Sequence, residues 1–216
     1  MSNIPEQPLY IYRMVHFDNI QYILSNGICT QDHAGACKEY VNIGDGDLIN
    51  KRKNYPVSLP FGGKLSDYIP FYFGGHSPML LNIKTGYRDI EKQPQENLVF
   101  LCLEFYNVIK QCNEWCFTDG HPIDHLTEYY NRVSDLKYLD WSVISLQYWY
   151  PTPEDPDRIR RKQAEFLVKG FVPCNCITKI CVYTNERKIE VENILKTLGL
   201  TIPVEVDESH KLYYDD

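Results

Sequence analysis

Several features that mark membrane, secreted and repetitive proteins are missing from this sequence. The residues before Pro8 are polar and lack the basic and apolar segments of an export signal. No segment approaches the ~20 consecutive apolar residues of a membrane-spanning helix, and no repeat occurs at the periods of solenoid proteins. We therefore expect a globular, soluble, cytoplasmic protein without a membrane partner.

An excess of positive charge is also missing, because the formal net charge is −7. This balance argues against a protein that coats nucleic acid through a broad basic face, but it leaves room for a local basic groove. Two basic clusters interrupt the acidic background, at residues 51–53 and 158–162. Each cluster is typical of a solvated surface or of a groove for an anion, and charge alone does not decide between them.

The length of 216 residues, of which 44% are hydrophobic, suits one substantial core. We therefore expect a single domain over residues 1–216. The 8 cysteines would suit disulfides in a secreted chain. Without an export signal they are expected to be reduced thiols, most of them buried.

The hydrophobic patterns predict an α+β fold, since strands outnumber helices without regular βαβ alternation. Residues 28–63 and 150–157 are rich in Gly or Pro and are predicted as irregular loops, the first long enough to be a lid or binding element. The predicted strands are 8–15, 68–73, 79–83, 98–105, 177–183 and 201–206, and the predicted helices are one from Asp18 to Gly27, one over 126–138 and one over 191–198.

A metal site and a thiol nucleophile are the first chemical alternatives. Cys112, Cys116, His121 and His125 are competent zinc ligands, but only four residues separate the Cys pair from the His pair. A finger of the Cys₂His₂ type needs roughly twelve, so no metal is expected. No cysteine lies in a thiol-hydrolase signature, and no glycine-rich loop of the kind that binds phosphate is present.

Polar residues remain at the edges of predicted strands, where packing does not require them. Arg13 and His16 end the first strand, Arg52 lies late in the long loop, and Glu165 opens an apolar run. A carboxylate at the mouth of a sheet can stabilise a cation. Taken alone, however, such a residue is more often a capped or salt-bridged surface acid.

Four segments, in order along the chain, closely resemble the DarT family of DNA ADP-ribosyltransferase toxins. They are IYRMVHFDNI (11–20), GGKLSDYIPFYFGGHSPM (62–79), FTDGH (117–121) and RRKQAEFLV (160–168). The resemblance implies an ADP-ribosyltransferase-like fold, in which helices surround a split β-sheet core with an NAD⁺ cleft. It also implies transfer of ADP-ribose from NAD⁺, a substrate, onto a base of single-stranded DNA, with no metal.

Carried over by motif, the catalytic glutamate of the family falls on Glu165 and its catalytic arginine on Arg52, with Lys51 and Lys53 as neighbouring alternatives. We expect Glu165 to stabilise an oxocarbenium-like ribose and to accept a proton from the base. Arginine is a poor base in proteins. We therefore expect Arg52 to hold the pyrophosphate or the base through forked hydrogen bonds.

The resemblance also implies ligand contacts. The nicotinamide-side motif falls on Arg13, Met14, Val15 and His16, and this sequence departs from some members at its first and third positions. The loop after Cys37 resembles the element that covers NAD⁺, and residues 117–165 resemble the substrate-reading loop. DNA contacts are expected from His76, Ser77, Pro78, Met79 and Leu80, from Gln147, Tyr148 and Trp149, and from Arg160, Arg161, Lys162 and Gln163.

Two questions of function stay open at this point. Thymine is favoured over guanine as the acceptor, because the SPM and QAEFLV segments are closer to that branch of the family. A toxin of this kind implies a cognate antitoxin, a DarG-like ADP-ribosyl hydrolase. The alternatives are an ADP-ribosyltransferase that acts on protein or RNA, and a non-catalytic single-stranded DNA binding module. Tyr148, Trp149 and Tyr150 are expected either to offer surfaces on which bases stack or to pack in the core.

Overall fold

The computed structural model describes residues 4–5, 7–59 and 61–215. These residues form an eight-stranded mixed sheet, a separate two-stranded sheet and a set of short helices. The predicted α+β class is confirmed. Within the same residues, none of the helices combines the length and the apolar character that crossing a bilayer requires. All eight cysteines are free thiols.

Ten strands and seven α-helices occur in the described part of the chain. The strands are β1 (Tyr10–His16), β2 (Ile28–Cys29), β3 (Tyr68–Tyr72), β4 (Leu98–Glu104), β5 (Trp115–Thr118), β6 (Tyr129–Tyr130), β7 (Glu165–Lys169), β8 (Phe171–Val172), β9 (Ile177–Val182) and β10 (Val204–Val206). The helices are α1 (Ile20–Asn26), α2 (Gly46–Arg52), α3 (Pro78–Thr85), α4 (Phe105–Gln111), α5 (Trp141–Ile144), α6 (Arg158–Lys162) and α7 (Asn185–Leu198).

The core lies on both faces of the central strand β4. Its sequence is a near-continuous apolar run, and it lies within the strand predicted over residues 98–105. Val99, Leu101 and Leu103 belong to the larger hydrophobic cluster, with residues of α1, α4 and α7. Phe100 and Cys102, on the opposite face, belong to a second cluster with residues of α3 and the C-terminal segment. Because successive side chains of a strand alternate between faces, a strand covered on both sides is apolar throughout.

The sheet opens between β1 and β3. Its strand order is β10-β9-β4-β1-β3-β7-β5-β6. All residues of β1 pair with β4, whereas its pairing with β3 is limited to Tyr12 and Tyr72. A backbone carbonyl at such an opening needs another partner. Arg13 supplies one, since its Nη1 donates to the Pro70 carbonyl at 3.0 Å.

The prediction of a strand over 79–83 is wrong, because this segment is helix α3. The Ser77 hydroxyl accepts a hydrogen bond from the Leu80 amide, Pro78 occupies the first turn and Gly86 ends the helix in a left-handed conformation. Ser at the N-cap, Pro at the first helical position and Gly at the end are the ordinary signals of a helix. The apolar residues of this segment therefore follow the periodicity of a helix and not the alternation of a strand.

The prediction of a helix over 126–138 is also wrong. Tyr129–Tyr130 form β6, which pairs with β5, and Val133–Tyr138 form a 3₁₀ helix. Leu126, at one end of the expected apolar stripe, is 59% exposed. The helical spacing of these apolar residues therefore does not correspond to a buried helix face.

The long loop predicted over 28–63 contains two short elements. Strand β2 pairs with β8, and helix α2 begins after Asp45, whose carboxylate accepts from the amides of Asp47 and Leu48. Arg52 is the last residue of α2. Residues 150–157 remain irregular apart from one isolated bridge between Thr152 and Asp155.

The C-terminal segment packs into the molecule. Tyr213 is fully buried, and its hydroxyl lies 2.7 Å from the Leu98 carbonyl and 3.2 Å from the Cys181 carbonyl. Tyr214 exchanges two backbone hydrogen bonds with the Gln95 side chain. The His76 amide donates to the Leu212 carbonyl at 3.1 Å. This segment thus supports the loop between β3 and α3.

Replacing Gly75 by Ala should destabilise the protein by about 1–3 kcal/mol. An added Cβ would lie 2.0 Å from the Lys211 carbonyl oxygen and 2.7 Å from the Leu212 Cα. Both are backbone atoms, so the contact is relieved only by moving the C-terminal segment. The free energy of unfolding, measured by denaturant titration, tests this expectation.

The matched control is Gly46→Ala, because a Cβ at Gly46 meets nothing within 4 Å. Its stability should lie within about 1 kcal/mol of the parent protein. Equal effects of the two substitutions would contradict the packing of the C-terminal segment against Gly75.

Candidate active site

A cavity of about 760 Å³ occupies the opening between β1 and β3. Strand β1 contributes Arg13 and Met14, and the neighbouring strand β3 contributes residues from Tyr68 to Tyr72. Residues from the region between β2 and α2 line the cavity as well, among them Tyr40 and Asn42. The loop that the sequence indicated as a binding element therefore forms one wall.

Arg52 and Glu165 meet inside this cavity although 113 positions separate them in the chain. The Arg52 Nη1 lies 3.0 Å from one Glu165 carboxylate oxygen and 3.2 Å from the other. The Glu165 side chain is only 6% exposed. Because a single nitrogen serves both oxygens, the other nitrogens of the guanidinium group remain available to a ligand.

Two guanidinium nitrogens are buried at this site without a hydrogen-bond partner among the described residues. They are Arg52 Nη2 and Arg13 Nε. Buried donors in folded proteins are ordinarily paired, so an unpaired one indicates a missing ligand or water. Both groups carry positive charge and line the cavity, which favours an anion there.

The backbone of Glu165 is held by a buried threonine. Thr118, which is fully buried at the end of β5, accepts a hydrogen bond from the Glu165 amide at 3.1 Å. Its own hydroxyl donates to the Gly120 carbonyl at 2.7 Å. A Cβ at Gly120 would lie 3.0 Å from the Arg160 carbonyl, so this turn is tightly packed against α6. These contacts determine where the carboxylate points.

Tyr72 and His121 add polar groups close to the pair. Tyr72 is aligned with Glu165 across β3 and β7, and burial raises the pKa of Tyr72 with a further contribution from the Glu165 carboxylate. Burial lowers the pKa of His121, and the Arg52 charge acts in the same direction, while Glu165 opposes it. His121 is therefore favoured as a neutral imidazole, which can donate and accept at once.

The four residues of the predicted nicotinamide-side motif divide into two pairs. Arg13 and Met14 line the cavity. Val15 is fully buried in the larger core cluster, and His16 accepts a hydrogen bond from the Asp18 amide at the end of β1. Of the four residues, only Arg13 and Met14 line the cavity, and contacts of this motif with NAD⁺ stay predictions.

The first predicted DNA-binding segment, His76 to Leu80, contains the turn into α3. His76 is buried with a positive φ of 50°, Ser77 caps the helix, and the Leu80 side chain is fully buried in the core. Met79 lines the cavity. A DNA contact by this segment stays a prediction, and Met79 is the side chain placed to make it.

The second predicted segment, Gln147 to Trp149, has one exposed aromatic side chain. Tyr148 is 69% exposed. Trp149 is buried, donates from Nε1 to the Tyr214 hydroxyl at 2.8 Å and stacks on Tyr150. Gln147 lies 3.4 Å from the Asp215 carboxylate. Stacking of Tyr148 on a base stays a prediction, while Trp149 packs within the protein.

The third predicted segment, Arg160 to Gln163, carries charges that are already paired. Arg160 binds the carboxylates of Asp157 and Asp119 at 2.8 and 3.0 Å. Arg161 contacts the carboxylates of Asp140, Asp155 and Asp157. Arg160 and Gln163 line the cavity, whereas Lys162 is only 5% exposed. Contacts of Arg160 and Arg161 with phosphate stay predictions and would require competition with these acids.

The four residues considered as zinc ligands do not converge. Among the described residues, no group of three or more His, Cys, Asp or Glu side chains is arranged to hold a metal ion. Cys112 lies near Cys176, and His125 is 88% exposed. His121 instead faces the cavity.

Sequence reasoning missed several cavity residues. The position of Tyr72 beside Glu165 depends on how β3 aligns with β7, and the sequence alone does not give that alignment. Asn82 reaches the cavity because its segment is helical. Arg88 also reaches the cavity, and its own backbone has a positive φ of 60°. No local pattern in the sequence marks either of these two.

Comparisons with known proteins agree on one family. The family model described as "DarT: ssDNA thymidine ADP-ribosyltransferase" matches residues 12–214. A DNA ADP-ribosyl transferase of Escherichia coli O127:H6 is 35% identical over 203 residues, which cover 94% of this chain and 93% of the relative. Among solved structures, Thermus sp. 2.9 DarT in complex with ADP-ribosylated ssDNA has a TM-score of 0.88 at 30% identity, covering 99% of this chain and 100% of that one. The same Thermus protein in complex with NAD⁺ has a TM-score of 0.84 at 31% identity, covering 98% and 100%.

Replacing Thr118 by Val should cost about 1–3 kcal/mol of stability. Valine keeps the shape of the side chain but leaves the Glu165 amide and the Gly120 carbonyl unpaired in the interior. Thr118→Ser keeps the hydroxyl and should cost less. Denaturant titration of the three proteins measures the difference, and a valine variant as stable as the serine variant would contradict the role given to the hydroxyl.

Proposed function

The chain belongs to the DarT family, and we propose that Glu165 and Arg52 are the catalytic pair of the reaction it performs. The protein is an NAD-dependent ADP-ribosyltransferase that acts on single-stranded DNA. The observation that carries the assignment is the nearly buried Arg52–Glu165 pair in the cavity between β1 and β3. Glu165 also falls where the family places its catalytic glutamate.

Glu165 stabilises the charge that forms when NAD⁺ is cleaved. The bond between ribose C1 and the nicotinamide nitrogen breaks, and the electron pair leaves with neutral nicotinamide. Positive charge then builds on the ribose, as in other glycosidic cleavages. A carboxylate in a partly desolvated site stabilises such a cation far more than one in water. When the ring nitrogen of the base bonds to C1, Glu165 accepts its proton.

Arg52 acts as an electrostatic clamp. Arginine side chains stay protonated in proteins, so Arg52 is a poor general base. Its unpaired Nη2, together with the unpaired Nε of Arg13, is suited to the pyrophosphate of NAD⁺. The ion pair with Glu165 orients both groups before the substrate binds.

Thymine is the proposed acceptor base, which agrees with the description of the family model as acting on ssDNA thymidine. The acceptor reaches the cavity from the side of Met79, Arg160 and Gln163, which all line it. A base must be free of its stack to enter such a site, which favours single-stranded DNA. The exposed Tyr148 offers a surface for a neighbouring base.

We propose that residues 1–216 act as one catalytic domain in the cytoplasm, where NAD⁺ and DNA are available. A cognate antitoxin of the DarG type would be an ADP-ribosyl hydrolase, because reversal of a covalent base modification requires cleavage of the new bond to ribose.

Incubation with NAD⁺ and short single-stranded oligonucleotides should add the mass of ADP-ribose to those that contain thymine. Mass spectrometry of the oligonucleotide, followed by a digest to single nucleosides, identifies the modified base. Glu165→Gln should bind NAD⁺ yet lower the rate by about 10²–10⁴-fold. Glu208→Gln, an exposed acid outside the cavity, is the matched control. Modification of protein or RNA with no increment on any oligonucleotide would contradict the proposed substrate.

Arg52→Lys should lower kcat/KM by about 100-fold, because an ammonium group cannot contact Glu165 and a ligand anion through two separate nitrogens. Lys51→Met removes an exposed neighbouring charge and should leave the rate nearly unchanged. Steady-state rates on a thymine oligonucleotide make the comparison. A lysine variant with full activity would show that Arg52 needs only its charge.

A further inference from the structure

Lys162 is a buried cation whose donors are all used within the protein. Its Nζ lies 2.8 Å from the Gly75 carbonyl, 2.7 Å from the Ile144 carbonyl and 2.6 Å from the Leu146 carbonyl. An ammonium group has three N–H donors, so these carbonyls accept all of them. Burial lowers the pKa of Lys162 to about 7, while the three acceptors favour its charged form. The residue is therefore poorly placed to bind a phosphate.

The three carbonyls belong to segments that adjoin the proposed DNA contacts. Gly75 directly precedes the segment 76–80, and Leu146 directly precedes the segment 147–149. Lys162 itself ends α6 and lies three positions before Glu165. One ammonium group thus joins α6 to two separate parts of the chain, the segments around Gly75 and around residues 144–146.

Tyr214 joins two of the same segments at a second point. Its hydroxyl donates to the His76 carbonyl at 2.6 Å and accepts from Trp149 Nε1 at 2.8 Å. His76 has a positive φ, so the backbone that Tyr214 holds is one that ordinary residues rarely adopt. Lys162 and Tyr214 thus hold the carbonyls of two consecutive residues, Gly75 and His76, in the turn that leads into α3.

We infer that Lys162 is a positioning residue for the DNA acceptor. It holds the 75–77 and 144–149 segments to the helix that precedes Glu165 in the chain, and Tyr214 is a second brace. This inference rests on the proposed function. It replaces the phosphate contact that the sequence predicted for Lys162. It also separates Lys162 from Arg160 and Gln163, which line the cavity and can face a ligand.

The salt dependence of DNA use distinguishes a brace from a phosphate ligand. The KM for a thymine oligonucleotide is measured at several salt concentrations for the parent protein, Lys162→Met, Lys162→Arg and Tyr214→Phe. A lost phosphate contact lowers the slope of log KM against log salt by about 0.7 for a single strand. A lost brace leaves that slope unchanged. Isothermal titration with NAD⁺ measures the donor site separately.

Both Lys162 variants are expected to raise the KM by about tenfold, because displacement of the two segments impairs binding of the oligonucleotide. In Lys162→Arg this effect is expected although the positive charge is kept. The planar guanidinium of Lys162→Arg cannot reproduce the three-way contact. Tyr214→Phe should raise the KM in the same direction without any change of charge. The Kd for NAD⁺ should stay within about twofold of the parent value in every folded variant. Lys188→Met, at a partly exposed lysine on α7 that pairs with Glu192, controls for the general loss of a positive charge.

Full activity of Lys162→Arg combined with a lower salt slope for Lys162→Met would overturn the inference, as would an unchanged KM in all three variants. If the Lys162 variants do not fold, Tyr214→Phe decides alone: a raised KM with an unchanged NAD⁺ Kd supports the brace, and an unchanged KM refutes it. Failure of the parent protein to modify any oligonucleotide would instead refute the proposed function.

Discussion

The incomplete pairing of β1 with β3 is the constraint on which the site depends. A strand that is paired along its length on both sides leaves no space for a ligand between its neighbours. Here β1 is anchored by β4 along its whole length and contacts β3 at one residue pair. The space that results is lined by Arg13 on one side and by Tyr72 on the other, and β7 brings Glu165 next to Tyr72.

Burial of the Glu165 carboxylate creates an electrostatic requirement that Arg52 meets. An unpaired carboxylate with so little exposure would be strongly destabilising, because removal of water costs several kcal/mol per ion. The Arg52 guanidinium offsets that cost. It does so through one nitrogen only, so that the pair is neutral overall and still presents an unpaired donor to an anion. The ion pair and the proposed contact with the substrate thus use different atoms of one side chain.

The fold was predictable where one physical signal dominated. The apolar run of β4 predicted a buried strand. The Gly and Pro content of residues 28–63 predicted a long loop, and residues of that segment line the cavity. Prediction failed for α3, because residues 79–83 were predicted as a strand although Ser77 and Pro78 are signals of a helix start. Glu165 and Arg52 were found through resemblance to a family, since no local rule relates residues 113 positions apart.

Charge patterns in a sequence identify cations but not their partners, and the segment 158–162 illustrates why. Its arginines bind acids that come from the same loop and from two other parts of the chain. Its lysine binds backbone carbonyls. Each choice depends on tertiary geometry, because a buried ammonium needs acceptors in three directions and a guanidinium needs them in one plane. One basic run therefore divides into two kinds of contact, arginines that pair with acids near the surface and a lysine that joins backbone segments in the interior.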